Sequence, residues 1–101
     1  MKRIHGEASY YSDALSGHKT ASGQPYDPHS FTAAHRTLPF GTLLRVHRVD
    51  GTGESVCVRV NDRGPFAGRS RILDLSRAAA EALHMMRAGV ASVEVEILKK
   101  D

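Results

Sequence analysis

The amino-acid sequence predicts an all-β domain, a small closed β-barrel with one or two short helices. Three observations support this prediction. Short segments of alternating apolar and polar residues recur along the chain, one long loop rich in glycine and serine interrupts them, and only two short stretches favour a helix. This pattern favours a barrel over a parallel α/β sheet, and closure would leave none of the strand edges unpaired.

The first half of the chain contains two predicted strands, separated by a long loop and a helical turn. Residues 6–11 alternate between apolar and polar side chains, which is typical of a half-buried strand. Residues 12–30 are rich in glycine, serine, proline and aspartate and predict a long loop, and loops of this length in compact domains tend to be functional. Residues 31–35 are predicted to form a short helical turn capped by Ser30, before a second strand at residues 42–49.

The second half begins with a predicted β-hairpin. Residues 50–53 have the composition of a tight turn, and residues 54–60 are expected to return beside the preceding strand. The period of two places alternate side chains on opposite faces, one formed by Val56, Val58 and Val60 and the other by Ser55, Cys57 and Arg59. Cys57 is interpreted as a small packed apolar residue, because no activating group is visible in its neighbourhood.

A short strand, a helix and a final strand complete the predicted barrel. Residues 72–75 form the short strand, and Ser76 is expected to cap a helix from Arg77 to about Met86, which Gly89 ends. Residues 92–98 form the last strand, with Val93, Val95 and Ile97 on one face.

Length and charge limit the class of protein. A chain of 101 residues fits a single domain over residues 1–101, with its core at about residues 6–98. The net charge of +3 favours anionic partners such as cell-wall polymers, acidic glycans or nucleic acid. Nucleic-acid binding is not expected, because the arginines are scattered and the few aromatic residues do not interleave with a dense basic stripe.

Several features are not expected from this sequence. No stretch is long and apolar enough to span a membrane, and no apolar leader segment follows the basic first residues, so no export signal is predicted within the chain. A periplasmic or cell-envelope location would require the chain to be part of a longer protein. A single cysteine and the absence of paired histidines predict no intrachain disulfide, metal or cofactor, and a monomer is expected.

Two aspartates are the first candidates for chemistry. Asp62 follows an alternating strand and precedes a polar turn, and Asp74 comes twelve positions later between Leu73 and Leu75. Neighbouring carboxyl groups can give and take protons during catalysis. The alternative is structural, with Asp62 forming a turn and Asp74 holding backbone amides or an arginine. The sequence pattern alone leaves both possibilities open.

Five segments, in order along the chain, carry a resemblance to a known family. They are Gly6-x-Ala8-Ser9-Tyr10-Tyr11, Thr20-Ala21-Ser22-Gly23-Gln24-Pro25-Tyr26-Asp27, Thr32-Ala33-Ala34-His35-Arg36-Thr37-Leu38-Pro39-x-Gly41-Thr42, Val58-Arg59-Val60-Asn61-Asp62-Arg63-Gly64-Pro65-Phe66 and Ile72-x-Asp74-Leu75-Ser76. Together they resemble the double-psi β-barrel domain of the rare lipoprotein A (RlpA) family of bacterial septal lytic transglycosylases. The resemblance implies a six-stranded double-psi barrel and, more distantly, a similarity to expansins.

The resemblance also implies a reaction and three catalytic candidates. The family acts on peptidoglycan strands stripped of stem peptides, and cleaves the MurNAc–GlcNAc bond without water to leave a 1,6-anhydro end. His35 and Asp62 match functional residues of the family, and Asp74 matches a position that matters in expansin-like relatives. Gln24 stands where the family usually has glutamate, and an amide cannot exchange a proton as a carboxyl group does.

The remaining candidates are expected to bind substrate near these positions. Tyr11 and Tyr26 are candidates for stacking on sugar faces, although packing is an equal alternative. Gln24 and Asp27 belong to the same loop and are candidates for binding sugar hydroxyl groups, with a loop-forming role as the alternative for Asp27. Arg63 is a candidate for binding a lactyl carboxylate, with solvated surface charge as its alternative.

Three functions remain open on the sequence alone. The leading hypothesis is a lytic transglycosylase in which Asp62 acts as acid and then as base, with assistance from His35. The second is a peptidoglycan-binding or wall-loosening module without catalysis, which Gln24 suggests. The third is a cytoplasmic nucleic-acid or protein-binding barrel, which the basic charge and the missing export signal suggest but the scattered arginines do not favour.

Overall fold

The computed structural model, which describes residues 2–51 and 53–99, is a closed barrel of six strands. The strands are β1 (Arg3–Tyr10), β2 (Thr32–Ala34), β3 (Leu43–Arg48), β4 (Ser55–Asp62), β5 (Arg71–Leu75) and β6 (Ala91–Lys99). One helix, α1 (Arg77–Ala82), and a 3₁₀ turn at Asp13–Leu15 complete the described elements. The predicted all-β barrel with short helices is therefore confirmed. Within the described ranges, no helix has the length and apolar character needed to cross a membrane.

The barrel mixes parallel and antiparallel strand pairs, in the order β1-β5-β2-β4-β3-β6. The β1–β5 and β2–β4 pairs are parallel, and the other four pairs are antiparallel. Strands that are adjacent in the barrel are therefore often distant in sequence. As a result, β2 lies between β4 and β5 and brings the ends of those two strands together.

The core is formed by the alternate strand side chains that point into the barrel. Val58 and Val60 of β4 are each 1% exposed, and Leu44, Val46 and Val95 are completely buried. Apolar burial of this kind is the main favourable contribution to folding. Cys57 is exposed on the outer face of β4, so its interpretation as a packed residue is wrong. The alternation that buries its neighbours places the Cys57 side chain outside the barrel.

The predicted hairpin is confirmed. Strands β3 and β4 pair antiparallel, and the backbone N–H of Arg48 donates to the Glu54 carbonyl at 2.9 Å, on the two sides of the turn. Thr52, in the predicted turn, lies outside the described residues.

Two local predictions were wrong. Residues 31–35 do not form a helical turn, because Thr32–Ala34 forms β2 and pairs with both β4 and β5. Two ladders of hydrogen bonds override the weak local helix propensity there. Helix α1 begins after the Ser76 cap as predicted but ends at Ala82, short of Met86. The left-handed φ of 54° at His84 is incompatible with continuing the helix.

Candidate active site

A β-bulge on β4 places Asp62 on the outer face of the barrel. Ala33 of β2 pairs with Val60, and the next residue, Ala34, pairs with Asp62, so Asn61 is the extra residue of the bulge. In a regular strand Asp62 would follow Val60 into the core. The bulge re-aims its side chain outward, which is a common use of bulges beside functional sites.

The same residue of β2 brings the second carboxylate to this face. Ala34 pairs with Asp62 on one side and with Asp74 of β5 on the other. Neighbouring strands lie about 4.8 Å apart, so the Cα atoms of the two aspartates are separated by roughly 10 Å. The structure therefore brings Asp62 and Asp74 to one face, with one strand between them.

The Asp62 carboxylate is held by three donors. Its Oδ1 accepts hydrogen bonds at 2.8 Å from the backbone N–H groups of Ala21 and Arg63. Its Oδ2 accepts a hydrogen bond from the Tyr11 hydroxyl. The two loops that flank the site, at residues 20–24 and 62–66, thus meet at this side chain.

Tyr11 is fixed between the carboxylate and a buried ring. Its side chain stacks on Tyr26, with ring centroids 4.3 Å apart and an angle of 18° between the planes. Burial and the hydrogen bond to Asp62 raise the pKa of Tyr11 well above its ordinary value. The phenol therefore stays protonated and remains a hydrogen-bond donor to Asp62 over the ordinary pH range.

Asp74 lies under the loop that follows Asp62. Its Oδ1 accepts a hydrogen bond from the Ser9 hydroxyl on β1. A side-chain Cβ placed on Gly64 would lie 4.0 Å from Asp74 Oδ2, and Gly64 adopts a φ of 130° that other residues rarely reach. The backbone conformation at position 64 thus favours glycine, and it places the loop beside this carboxylate.

His35 follows β2 directly and lies at the edge of the same face. Its backbone N–H donates to the Asp62 carbonyl at 3.1 Å. Its Nδ1 accepts hydrogen bonds from the backbone N–H groups of Thr37 and Leu38 at 3.1 and 3.0 Å. Nδ1 therefore carries no proton, and the neutral ring carries its proton on Nε2.

The charge state of His35 agrees with this hydrogen-bond pattern. Burial lowers the pKa of His35 below its ordinary value, and the positive charges of Arg36 and Arg63 lower it further. At neutral pH the imidazole is therefore uncharged, with Nε2–H as its donor group.

Gln24 is connected to the bulge through its side chain. The Asn61 Nδ2 donates a hydrogen bond to Gln24 Oε1 at 3.2 Å. Gln24 is exposed, whereas Asn61 is only 8% exposed. The Gln24 amide is thus oriented by the residue that precedes Asp62.

Three of the predicted substrate-binding side chains have structural partners. Tyr26 is 3% exposed and its hydroxyl accepts a hydrogen bond from the Arg77 N–H, so it supports Tyr11 and is not placed to stack on a sugar. Asp27 accepts hydrogen bonds from His29 N–H and the Ser30 hydroxyl, and these bonds hold its pKa below the ordinary value.

Arg63 is also engaged within the protein. Its guanidinium donates to the Leu38 carbonyl at 2.8 Å and to the His35 carbonyl at 3.3 Å. The same group lies 4.1 Å from the centre of the Phe40 ring. Its position supports the segment that holds the His35 ring.

A groove of about 730 Å³ lies next to the end of β4, where Asn61 precedes Asp62. It is lined by Ser22, Gln24, Pro25, Asp27, Ser30, Phe31, Thr32, Phe40, Gly41, Arg59, Val60 and Asn61. Its lining includes Gln24 and Asn61, both next to the site, but none of the three catalytic candidates. In the described part of the chain, no cluster of three or more His, Cys, Asp or Glu side chains has the geometry to hold a metal ion.

Sequence reasoning missed Asn61, Ser9 and Arg36. Two consecutive polar residues, Asn61 and Asp62, interrupt the alternation of β4, and this break is a signal that could have indicated the bulge. Ser9 and Arg36 act through partners more than 28 positions away in the chain, so no local pattern identifies them.

Known proteins resemble this chain over most of its length. A family model described as lytic transglycolase matches residues 3–95. The chain belongs to this family. A relative from Treponema pallidum named "Probable endolytic peptidoglycan transglycosylase RlpA" is 52% identical over 90 residues, which are 89% of this chain and 28% of the relative. The endolytic peptidoglycan transglycosylase RlpA of Vibrio cholerae is 47% identical over 96 residues, which are 95% of this chain and 36% of the relative.

The chain thus spans only 28% and 36% of the length of these two relatives. Two solved structures share its fold. The Streptomyces papain inhibitor has a TM-score of 0.74 at 26% identity, covering 97% of this chain and 96% of that one. The expansin of Clavibacter michiganensis also has a TM-score of 0.74, at 25% identity, covering 99% of this chain and 52% of that one. The predicted family and its double-psi barrel are confirmed.

Proposed function

We propose that this domain is a peptidoglycan lytic transglycosylase that cleaves MurNAc–GlcNAc bonds in peptide-poor glycan strands of the cell envelope. The observation that carries the proposal is the placement of Asp62 and Asp74 on one outer face, joined through Ala34 and flanked by His35. The names of the relatives support the same reaction class.

The reaction requires two proton transfers. A proton is given to the glycosidic oxygen as the bond between that oxygen and C1 of MurNAc breaks. The C6 hydroxyl of the same MurNAc then attacks C1 and gives its proton to a base, which closes the 1,6-anhydro ring without water. Two carboxyl groups with different surroundings suit these two tasks.

The hydrogen bonds support one assignment of roles. Asp62, with three donors on its two oxygens, is the carboxylate that takes the proton from the C6 hydroxyl. Asp74 is then the group that gives a proton to the leaving oxygen, because Ser9 alone among the described residues is seen to donate to it, whereas three donors stabilise a negative charge on Asp62. His35 presents Nε2–H as a hydrogen-bond donor to the substrate, because its Nδ1 is occupied. Gln24 binds a sugar hydroxyl or N-acetyl group.

The central test is product analysis by mass spectrometry after incubation with amidase-stripped sacculi. Wild type, Gln24→Glu and Asp62→Asn are compared. Anhydro products from the wild type that disappear in Asp62→Asn support the proposal. Gln24→Glu is a matched variant, because a glutamate oxygen can accept the same hydrogen bond from Asn61.

Gln24 favours one alternative function, a binding or wall-loosening module without turnover. In that case the wild type releases no anhydro products and still binds sacculi. Products from Gln24→Glu alone would then show that the amide is what prevents catalysis.

Substrates with different leaving groups distinguish the proposed roles of Asp62 and Asp74. The aryloxide of an aryl MurNAc glycoside leaves C1 without protonation, whereas the GlcNAc oxygen must be protonated to leave. We expect Asp74→Asn to retain activity on the aryl substrate and to lose it on glycan strands. Asp62→Asn should lose both activities. Equal losses for Asp74→Asn on both substrates would contradict the assignment.

A further inference from the structure

The groove reaches the candidate active site at Asn61, which lines it and directly precedes Asp62. Its floor is formed by residues 59–61 of β4, directly before Asp62. An extended strand rises about 3.3 Å per residue, so the Cα atoms of Arg59 and Asp62 lie roughly 10 Å apart. A chain molecule lying along this floor would therefore reach Asp62 at one end of the groove.

Two phenylalanines flank the floor of the groove. Phe31 precedes β2 and Phe40 precedes β3, and these two strands lie on opposite sides of β4. Phe31 is 51% exposed and Phe40 is 38% exposed. Phe40 is backed by the guanidinium of Arg63. Large apolar rings left open in a concave surface indicate a contact with a ligand.

The rest of the groove lining is polar. The segment at residues 22–30 contributes Ser22, Gln24, Asp27 and Ser30. Asn61 fixes the Gln24 amide. A pyranose ring has an apolar face and an edge of hydroxyl groups, and this combination of aromatic rings and hydrogen-bonding groups suits it. A purely apolar ligand would cover these polar groups without offering them hydrogen bonds in place of water.

We propose that this groove binds pyranose units that continue the glycan strand beyond the bond at Asp62, with Phe31 as an aromatic platform. The inference rests on the proposed function and names the part of the substrate that this surface takes. The domain then also binds the glycan at sugar units away from the cleaved bond, so glycans too short to reach Phe31 bind weakly.

Binding, measured separately from cleavage, tests this proposal. The probe is a hexamer of β-1,4-linked GlcNAc, titrated into the Asp62→Asn protein by calorimetry and by NMR, with the dimer for comparison. We expect Phe31→Ala to weaken hexamer binding about tenfold, since one ring face of apolar contact is lost. Phe31→Tyr keeps the ring and should bind like the parent. Val49→Ala is the control, because Val49 is 55% exposed and lies outside the groove lining.

The outcomes distinguish the groove from the catalytic proposal. Shifts of the Gln24, Phe31, Gly41 and Asn61 amides with hexamer, together with the loss in Phe31→Ala, support the groove even if no anhydro products form. Hexamer affinity equal in Phe31→Ala and Val49→Ala, shifts confined to other surfaces, or no binding by any variant would overturn it. If one of these negative binding results is found while the wild type still forms anhydro products, the groove proposal is wrong and the catalytic proposal is still supported.

Discussion

Arg36 holds the loop that covers Asp74, and its replacement by lysine gives the sharpest structural prediction. The Arg36 guanidinium donates to the carbonyl of Pro65 at 2.7 Å and also to the carbonyls of Gly68 and Arg71. A single side chain thus ties together the connection between β4 and β5. Lysine keeps the charge, but its compact ammonium lacks the planar fork that reaches several carbonyls at once.

The size of the effect follows from these three hydrogen bonds. A hydrogen bond from a charged donor contributes about 1.5–3 kcal/mol, and water replaces part of that at a half-exposed site. We therefore expect Arg36→Lys to lower the free energy of unfolding by about 2–3 kcal/mol. For a domain of this size, the melting temperature should fall by roughly 10–20 °C.

Thermal unfolding followed by circular dichroism measures this change, and product release from stripped sacculi measures its effect on the site. Arg69→Lys is the matched control, because Arg69 is an exposed residue of the same loop. We expect the control to stay within about 0.5 kcal/mol of the wild type. The reasoning is refuted if Arg36→Lys and Arg69→Lys melt at the same temperature. Product release should also fall in Arg36→Lys, since the segment Gly64-Pro65 beside Asp74 would lose the hydrogen bond from Arg36.

Three further predictions concern pH, a helix cap and the cysteine. Burial and the neighbouring arginines lower the pKa of His35 in the folded state. The contribution of the neutral His35 ring to the free energy of unfolding is therefore present above the unfolded pKa of about 6.5, and it is lost as the pH falls toward the lower folded pKa. Urea unfolding at pH 5 and 7.5 should therefore show a smaller pH dependence in His35→Gln, and an unchanged dependence would contradict this. Ser76→Ala should lower the unfolding free energy by about 1–2 kcal/mol, because the buried Ser76 Oγ accepts from Ala79 N–H and Thr32 N–H; an unchanged urea midpoint would count against it. Cys57 should react with a maleimide in the folded protein about as fast as in urea, and strong protection would show that its side chain is covered.

The local pattern of the sequence determined the strands and their faces. Val58 and Val60 alternate with polar neighbours, so the inward face of β4 could be predicted before any partner strand was known. The hairpin and the start of α1 at Ser76 were predictable for the same reason, because turns and caps depend on a few adjacent residues. The five ordered segments together also identified the family, although the one around Asp62 did not indicate how that side chain leaves the core face.

Only the tertiary structure decided how the site is assembled. The three residues of β2 are a strand because β4 and β5 supply hydrogen bonds on both sides, which no pattern in so short a segment reveals. Because β2 lies between β4 and β5, Ala34 pairs with both Asp62 and Asp74. The bulge at Asn61, which turns Asp62 outward, belongs to the same pairing of β2 with β4. Strand register is fixed between segments distant in the chain, so the two carboxylates meet on one face for a reason that no single segment contains.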